Sequence, residues 1–197
     1  MLFIYKSSFF KLLYGNSIYG VAYVATFSIT NITFVLSIQN TNVANTLVMI
    51  ALAPMLSAIF GAIFLKEKPD RNTLIAIAIT FLSVLYIFYD SVKLGNIFGD
   101  ILGFITACGL AAGATIIRAG KSLNLVPSAV VGKLVVALVA LFFIDTFELK
   151  DNDIYIIPAM CILCVAIPFV LVTLAPRYIT GAEVNLFFLM ETVLGPI

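Results

Sequence analysis

VANTLVMIALAPMLSAIFGAIFLKEKPDR, residues 43–71, holds one membrane crossing and the charges that end it. Val43 to Leu65 carries no charge over 23 residues. At about 1.5 Å of rise per residue this run reaches about 34 Å, enough for a hydrocarbon core of about 30 Å. Asn45, Thr46 and Ser57 are its only polar side chains, so no polar face is visible and lipid or other apolar helices should surround it. Lys66, Glu67, Lys68, Asp70 and Arg71 follow, and three cations in so short a loop mark the cytoplasmic side of the bilayer.

Composition extends this to the whole chain. It is 62% hydrophobic and 11% charged over 197 residues, more apolar surface than a soluble core of that size can bury. The fold class expected is an all-α polytopic membrane protein, with the lipid bilayer as its first partner. Net charge is +1 and the cations sit in separate short loops, which argues against nucleic acid as a partner. Histidine is absent, removing the usual general base, the imidazole metal ligand and the Ser-His and Cys-His nucleophile pairs. Cys108, Cys161 and Cys164 all fall inside expected spans and read as small packing residues. No metal and no cofactor is called for.

Residues 1–15 are broken by Lys6 and Lys11 and lack a small-residue cleavage site, so they do not read as a signal peptide. Ser17 to Ile38 is the first complete span. Thr26, Thr30, Thr33 and Ser37 place four hydroxyls on one of its stripes, where each can bond its own helix. Asn31, an amide near mid-bilayer, should not satisfy itself that way and should face another helix or a cavity. In the opening stretch Pro54 removes a backbone bond and frees the carbonyl of Ile50. Thr73 to Tyr89 crosses back, and Asp90, Lys93 and Asp100 border the next loop. Ile101 to Ile117 returns, with Gly99, Gly103, Ala107 and Ala111 at four-residue spacing for close helix contact, within the chain before between chains. Val126 to Ile144 contains Lys133. Ile154 to Ala175 contains Pro168 and should bend there. Ala182 to Ile197 opens a last span, which makes about six complete spans and a partial seventh.

Loop charges test this layout. Eight of the eleven cations fall in segments on the side of Lys66, two fall on the other side, and Lys133 lies within a span. That bias places the amino terminus of the chain in the cytoplasm of a cell carrying this protein in its plasma or inner membrane. Displacing the chain by 138 residues lays Phe34–Leu56 over Val172–Leu194, with Leu36 on Leu174, Ala44 on Ala182 and Leu56 on Leu194. Each copy is a span, a short polar break and a span, with the break outside in one copy and inside in the other. Such an inverted repeat of five-helix units is the plan of many secondary carriers. It divides the chain into a first unit over residues 1–92 and a second over 95–197.

At PMLSAIFGAIFLKE (Pro54–Glu67), FGDILGFITACGLAAGATIIRAGK (Phe98–Lys121) and TGAEVNLFFLMETVLGP (Thr180–Pro196) the chain resembles the fourth, sixth and ninth spans of the EamA family. These are ten-span carriers within the drug/metabolite transporter superfamily. Lys66 departs from the family's usual glycine, and Ala76 and Ser83 stand where fifth-span glycines are common. On a ten-span plan the chain should begin near the end of span two and break off within span nine. The resemblance implies a transporter and not an enzyme, exporting or exchanging a small polar or amphipathic metabolite such as an amino acid by alternating access.

Glu191 is the leading site candidate, since it lies roughly 13 Å into the last span, where a charged acid is expensive and functional by default. It is a candidate proton or cation coupling site. Lys133 lies about 10 Å in from the same surface, so it can pair with Glu191 or snorkel to the interface. Asn31, Thr30 beside it and Asn185 in the last span complete the substrate-binding or coupling candidates, with Pro54 and Pro168 as helix-break candidates. Glu183, in a first helical turn, should have a local role. A homodimer is a further partner the chain admits. Three other classes are open: an inert or accessory truncated fragment, a seven-span receptor whose amino terminus would lie outside, and a membrane-embedded enzyme, for which no catalytic constellation is visible.

Overall fold

The computed structural model describes residues 17–88, 96–143 and 153–194, and these are all-helical. Helix α1 (Ser17–Asn40) is capped at its end by Asn40, whose amide donates back to the carbonyl of Leu36 at 2.7 Å. Asn42 then accepts from the Ala44 N–H at 3.2 Å and starts α2 (Val43–Ile50). A turn at Ala51 and Leu52 separates α2 from α3 (Ala53–Phe60). Pro54 sits in the first turn of α3, where its missing N–H leaves nothing unsatisfied. The opening 23-residue run is therefore a broken helix, and it ends in a π turn over Gly61–Leu65. Lys66 closes that turn in the left-handed region at φ 56°, donating to the carbonyl of Gly61.

Helix α4 (Arg71–Phe88) turns back along the bundle. Helix α5 (Ile97–Ala119) begins four residues before the expected Ile101, because Asn96 accepts from the Phe98 N–H and starts it early. Asp100, expected at a loop border, thus lies in the first turn and Arg118 in the last, each favoured there by the helix dipole. Next comes α6 (Val126–Leu141), followed by α7 (Asp153–Met160). Between α7 and α8 (Ile167–Leu174) the helix widens into a π segment, Cys161–Ala166, ahead of Pro168. Ile167 donates five residues back to Ile162, so the disturbance at this proline is a widened turn. A 3-10 turn, Ala175–Arg177, leads to α9 (Gly181–Leu194). Its start is a capping box: the Thr180 N–H and hydroxyl donate to Glu183 at 2.8 and 2.9 Å, and Glu183 N–H returns a bond to the Thr180 hydroxyl at 3.3 Å.

Helix α5 is the centre, packed against α1, α2, α3 and α9. Its small residues permit this approach. A Cβ on Gly99 would lie 2.7 Å from Thr41 Cβ and 2.8 Å from backbone of Asn40, and Ala107 and Ala111 are fully buried. The hydroxyl stripe of α1 faces the same helix. Thr33 and Thr106 share a bond at 2.8 Å, while Ser37 reaches both Thr46 and the Gly99 carbonyl at 2.8 Å. Asn45, Thr46 and Ser57, the three polar side chains of the opening run, are all buried. Large apolar side chains on the outer faces, including Tyr155, Leu163, Leu171 and Phe187, are exposed. Among the described residues four helices, Ile18–Asn40, Val43–Leu65, Ile97–Ala119 and Tyr155–Arg177, are long and apolar enough to cross a membrane, and Arg71–Ser83 and Val126–Leu141 are shorter apolar stretches. An apolar exterior over a partly polar interior defines a polytopic membrane protein.

Candidate functional site

Helices α1, α2, α5, α6, α8 and α9 surround a cavity of about 650 Å³. Most of its wall is apolar, with Phe27, Phe34, Leu47, Ile50, Phe169 and Phe188, and a few polar groups project among them. That mixture is the usual character of a small-molecule site. Thr30, Asn31, Lys133, Asn185 and Pro168, candidates scattered over the sequence, all line it.

Lys133 is half-buried, and its ammonium donates to Asn31 Oδ1 at 3.3 Å. The same nitrogen stands 5.1 Å from the ring centre of Phe27 and 5.0 Å from that of Phe169. Two rings in edge contact, 5.0 Å apart, therefore flank one cation. Asn31 corrects an expectation. Its amide nitrogen does bond its own helix, donating to the Phe27 carbonyl at 2.8 Å, and this leaves the oxygen free to turn toward Lys133. Thr30 also bonds its own helix, at the Thr26 carbonyl, 2.7 Å away. Asn185 is 2% exposed, and its amide nitrogen has no hydrogen-bond partner among the described residues. Pro54 is buried between helices and does not line the cavity. Glu191 lies on α9, but its side chain falls outside the described residues, as does any pair it forms with Lys133.

The aromatic pair around Lys133 was not foreseen in the sequence. Phe27 stands one turn before Asn31 and could have been found by that spacing. Phe169 had no such signal, being far along the chain from both.

Polar clusters hold the bundle at both ends of the cavity. At one end Thr41 donates to Asp100 Oδ1 at 2.8 Å and Asn45 to the same oxygen at 3.3 Å, fastening the α1–α2 turn onto α5. At the other end Arg118 Nε donates to both carboxylate oxygens of Glu67, at 3.0 and 3.3 Å. Arg118 also donates to the carbonyl of Arg177 at 3.3 Å, and Arg177 in turn to the carbonyl of Leu123. In the sequence Arg118 and Arg177 serve to orient the chain, and Glu67 and Arg118 also fall in the segments that carry the family resemblance, but nothing there pairs them. Here they tie the ends of α3, α5 and α8 together beside Pro176, which borders the cavity. Among the described residues no group of three or more Cys, Asp or Glu could hold a metal ion.

Apolar helices around an amphipathic cavity, with polar fastenings at either end, define the class as a multi-pass membrane protein with an internal cavity. Residues 1–89 match the model of the EamA-like transporter family. No curated protein and no solved structure matches the chain.

Proposed function

We propose that the protein carries a small polar or amphipathic metabolite, such as an amino acid, through this cavity by alternating access, exporting it or exchanging it for another. The observation that carries this reading is the placement of the cavity. It is lined by α1 and α2, which this reading assigns to a first unit (1–92), and by α5, α6, α8 and α9, assigned to a second (95–197), and it lies between two separate polar fastenings. Carriers built of inverted repeats place their site at such a repeat interface. The loop charges favour the Glu67–Arg118–Arg177 cluster as the cytoplasmic closure and the Thr41–Asp100 cluster as the outer one. Glu191, on the last turns of α9, serves as the proton or cation coupling acid.

The test is a reversible lock. Cysteines placed at 67 and 118 in a chain otherwise free of cysteine are bridged by a thiol-cleavable cross-linker in proteoliposomes loaded with radiolabelled amino acids. Bridging should stop exchange and cleavage should restore it. Exchange that continues through the bridged protein contradicts alternating access at this closure.

A further inference from the structure

We infer that the solute presents a carboxylate, carried on an apolar body, to Lys133 and Asn185; this rests on the cavity being the solute site. Polar groups in the cavity wall are unevenly matched. Lys133 offers three N–H donors, of which the described structure uses one, toward Asn31. Asn185 offers two more from an amide nitrogen that is buried and unpartnered among the described residues. Leaving such a donor unmet in a buried site is costly, so its ligand should bring an acceptor. Among the described residues, two of the wall's acceptors are already engaged: Asn31 Oδ1 takes Lys133, and Thr106 shares its bond with Thr33. No described carboxylate lines the cavity. Among the described residues a cation and an unpartnered amide nitrogen stand in the wall with no carboxylate beside them, and this set matches a group of acceptors carrying negative charge.

The rings have a part in this. Phe27 and Phe169 flank the ammonium on the apolar side, fixing where the charge stands and leaving its other N–H groups to a ligand. Phe34, Leu47, Ile50 and Phe188 then offer apolar surface to the rest of the molecule. A solute that is anionic at one end and apolar at the other fits both.

Three probes of one shape and different charge test this on the purified chain in nanodiscs: 3-phenylpropanoate, 3-phenylpropanamide and 3-phenylpropylammonium, each measured by equilibrium binding. The carboxylate should bind about ten- to a hundredfold more tightly than the amide, the range one charged hydrogen bond supplies, and the ammonium more weakly still. Lys133→Met should erase the difference between carboxylate and amide, and Lys133→Arg should keep most of it. Asn185→Leu should weaken the carboxylate while leaving the ammonium unchanged. Equal binding of all three probes to the native chain overturns the anion assignment and leaves the cavity as a solute site. Saturable binding of none overturns the solute site, and the inference with it.

Discussion

Arg118 Nε stands 3.0 Å from one carboxylate oxygen of Glu67 and 3.3 Å from the other, joining the end of the broken α2–α3 helix to the end of α5. Both side chains keep contact with solvent, at 18% exposure for Arg118 and 36% for Glu67. Such a pair contributes at most about 1 kcal/mol to stability. Its importance is positional. Arg118→Met and Glu67→Gln should each lower stability by about that amount, and the double variant by no more than the larger single loss. Thermal unfolding of the four proteins in detergent forms the cycle; additive losses would show that the two residues act apart.

Lys66 occupies the left-handed region at φ 56°, a conformation in which a Cβ crowds the following carbonyl. Lys66→Gly should therefore raise stability by about 1 kcal/mol. The same thermal measurement checks it. A loss on substitution would mean that the lysine side chain has a role its backbone does not reveal.

The glycines of α5 differ in what a methyl group would meet. At Gly99 it would press on backbone of Asn40 and Thr41 at 2.8 Å, which cannot step aside, and at Gly109 on Thr30 Oγ1. At Gly113 the nearest atom is Tyr23 Cε2, 3.7 Å away, an ordinary contact. Gly99→Ala and Gly109→Ala should each cost about 1–3 kcal/mol, while Gly113→Ala should be neutral or mildly stabilising. Replacing Thr30 by Ala should recover much of the Gly109→Ala loss and none of the Gly99→Ala loss.

Thr180→Ala removes one side of the α9 capping box and should cost about 1 kcal/mol. Glu183→Gln keeps an acceptor for the Thr180 N–H, so most of the stability should remain and solute exchange should proceed. A Gln variant that folds normally and fails to exchange would assign Glu183 to the transport step.

Hydropathy made the class and the order of spans legible, because an apolar run long enough to cross a bilayer is conspicuous whatever packs around it. It could not show that Asn96 starts α5 a full turn early, since a cap is settled by a single polar atom, whereas the break at Ala51 and Leu52 falls just ahead of Pro54, a helix-break candidate. Four polar site candidates share one cavity for a simple reason: polar groups in apolar helices are driven to face inward. Their individual bonding was harder to read. Asn31 uses one end of its amide on its own helix and the other on Lys133, where sequence reasoning allowed only the second kind of partner. The Phe27–Lys133–Phe169 arrangement joins residues more than a hundred positions apart at its extremes, and no local pattern announces it. Glu67 and Arg118 were visible as loop charges, but their meeting depends on two helices ending side by side.

Thiol labelling of Leu110→Cys in a background without native cysteines tests the central claim most directly, because Leu110 lines the cavity. Oriented vesicles are exposed to a membrane-impermeant maleimide on one face at a time, with Arg118 intact or replaced by Met. Alternating access predicts slow labelling from the cytoplasmic face in the intact protein, and labelling accelerated several-fold from that face once the Glu67–Arg118 pair is gone. Labelling that is unchanged by the substitution, or absent from both faces, would contradict a carrier that opens at this closure.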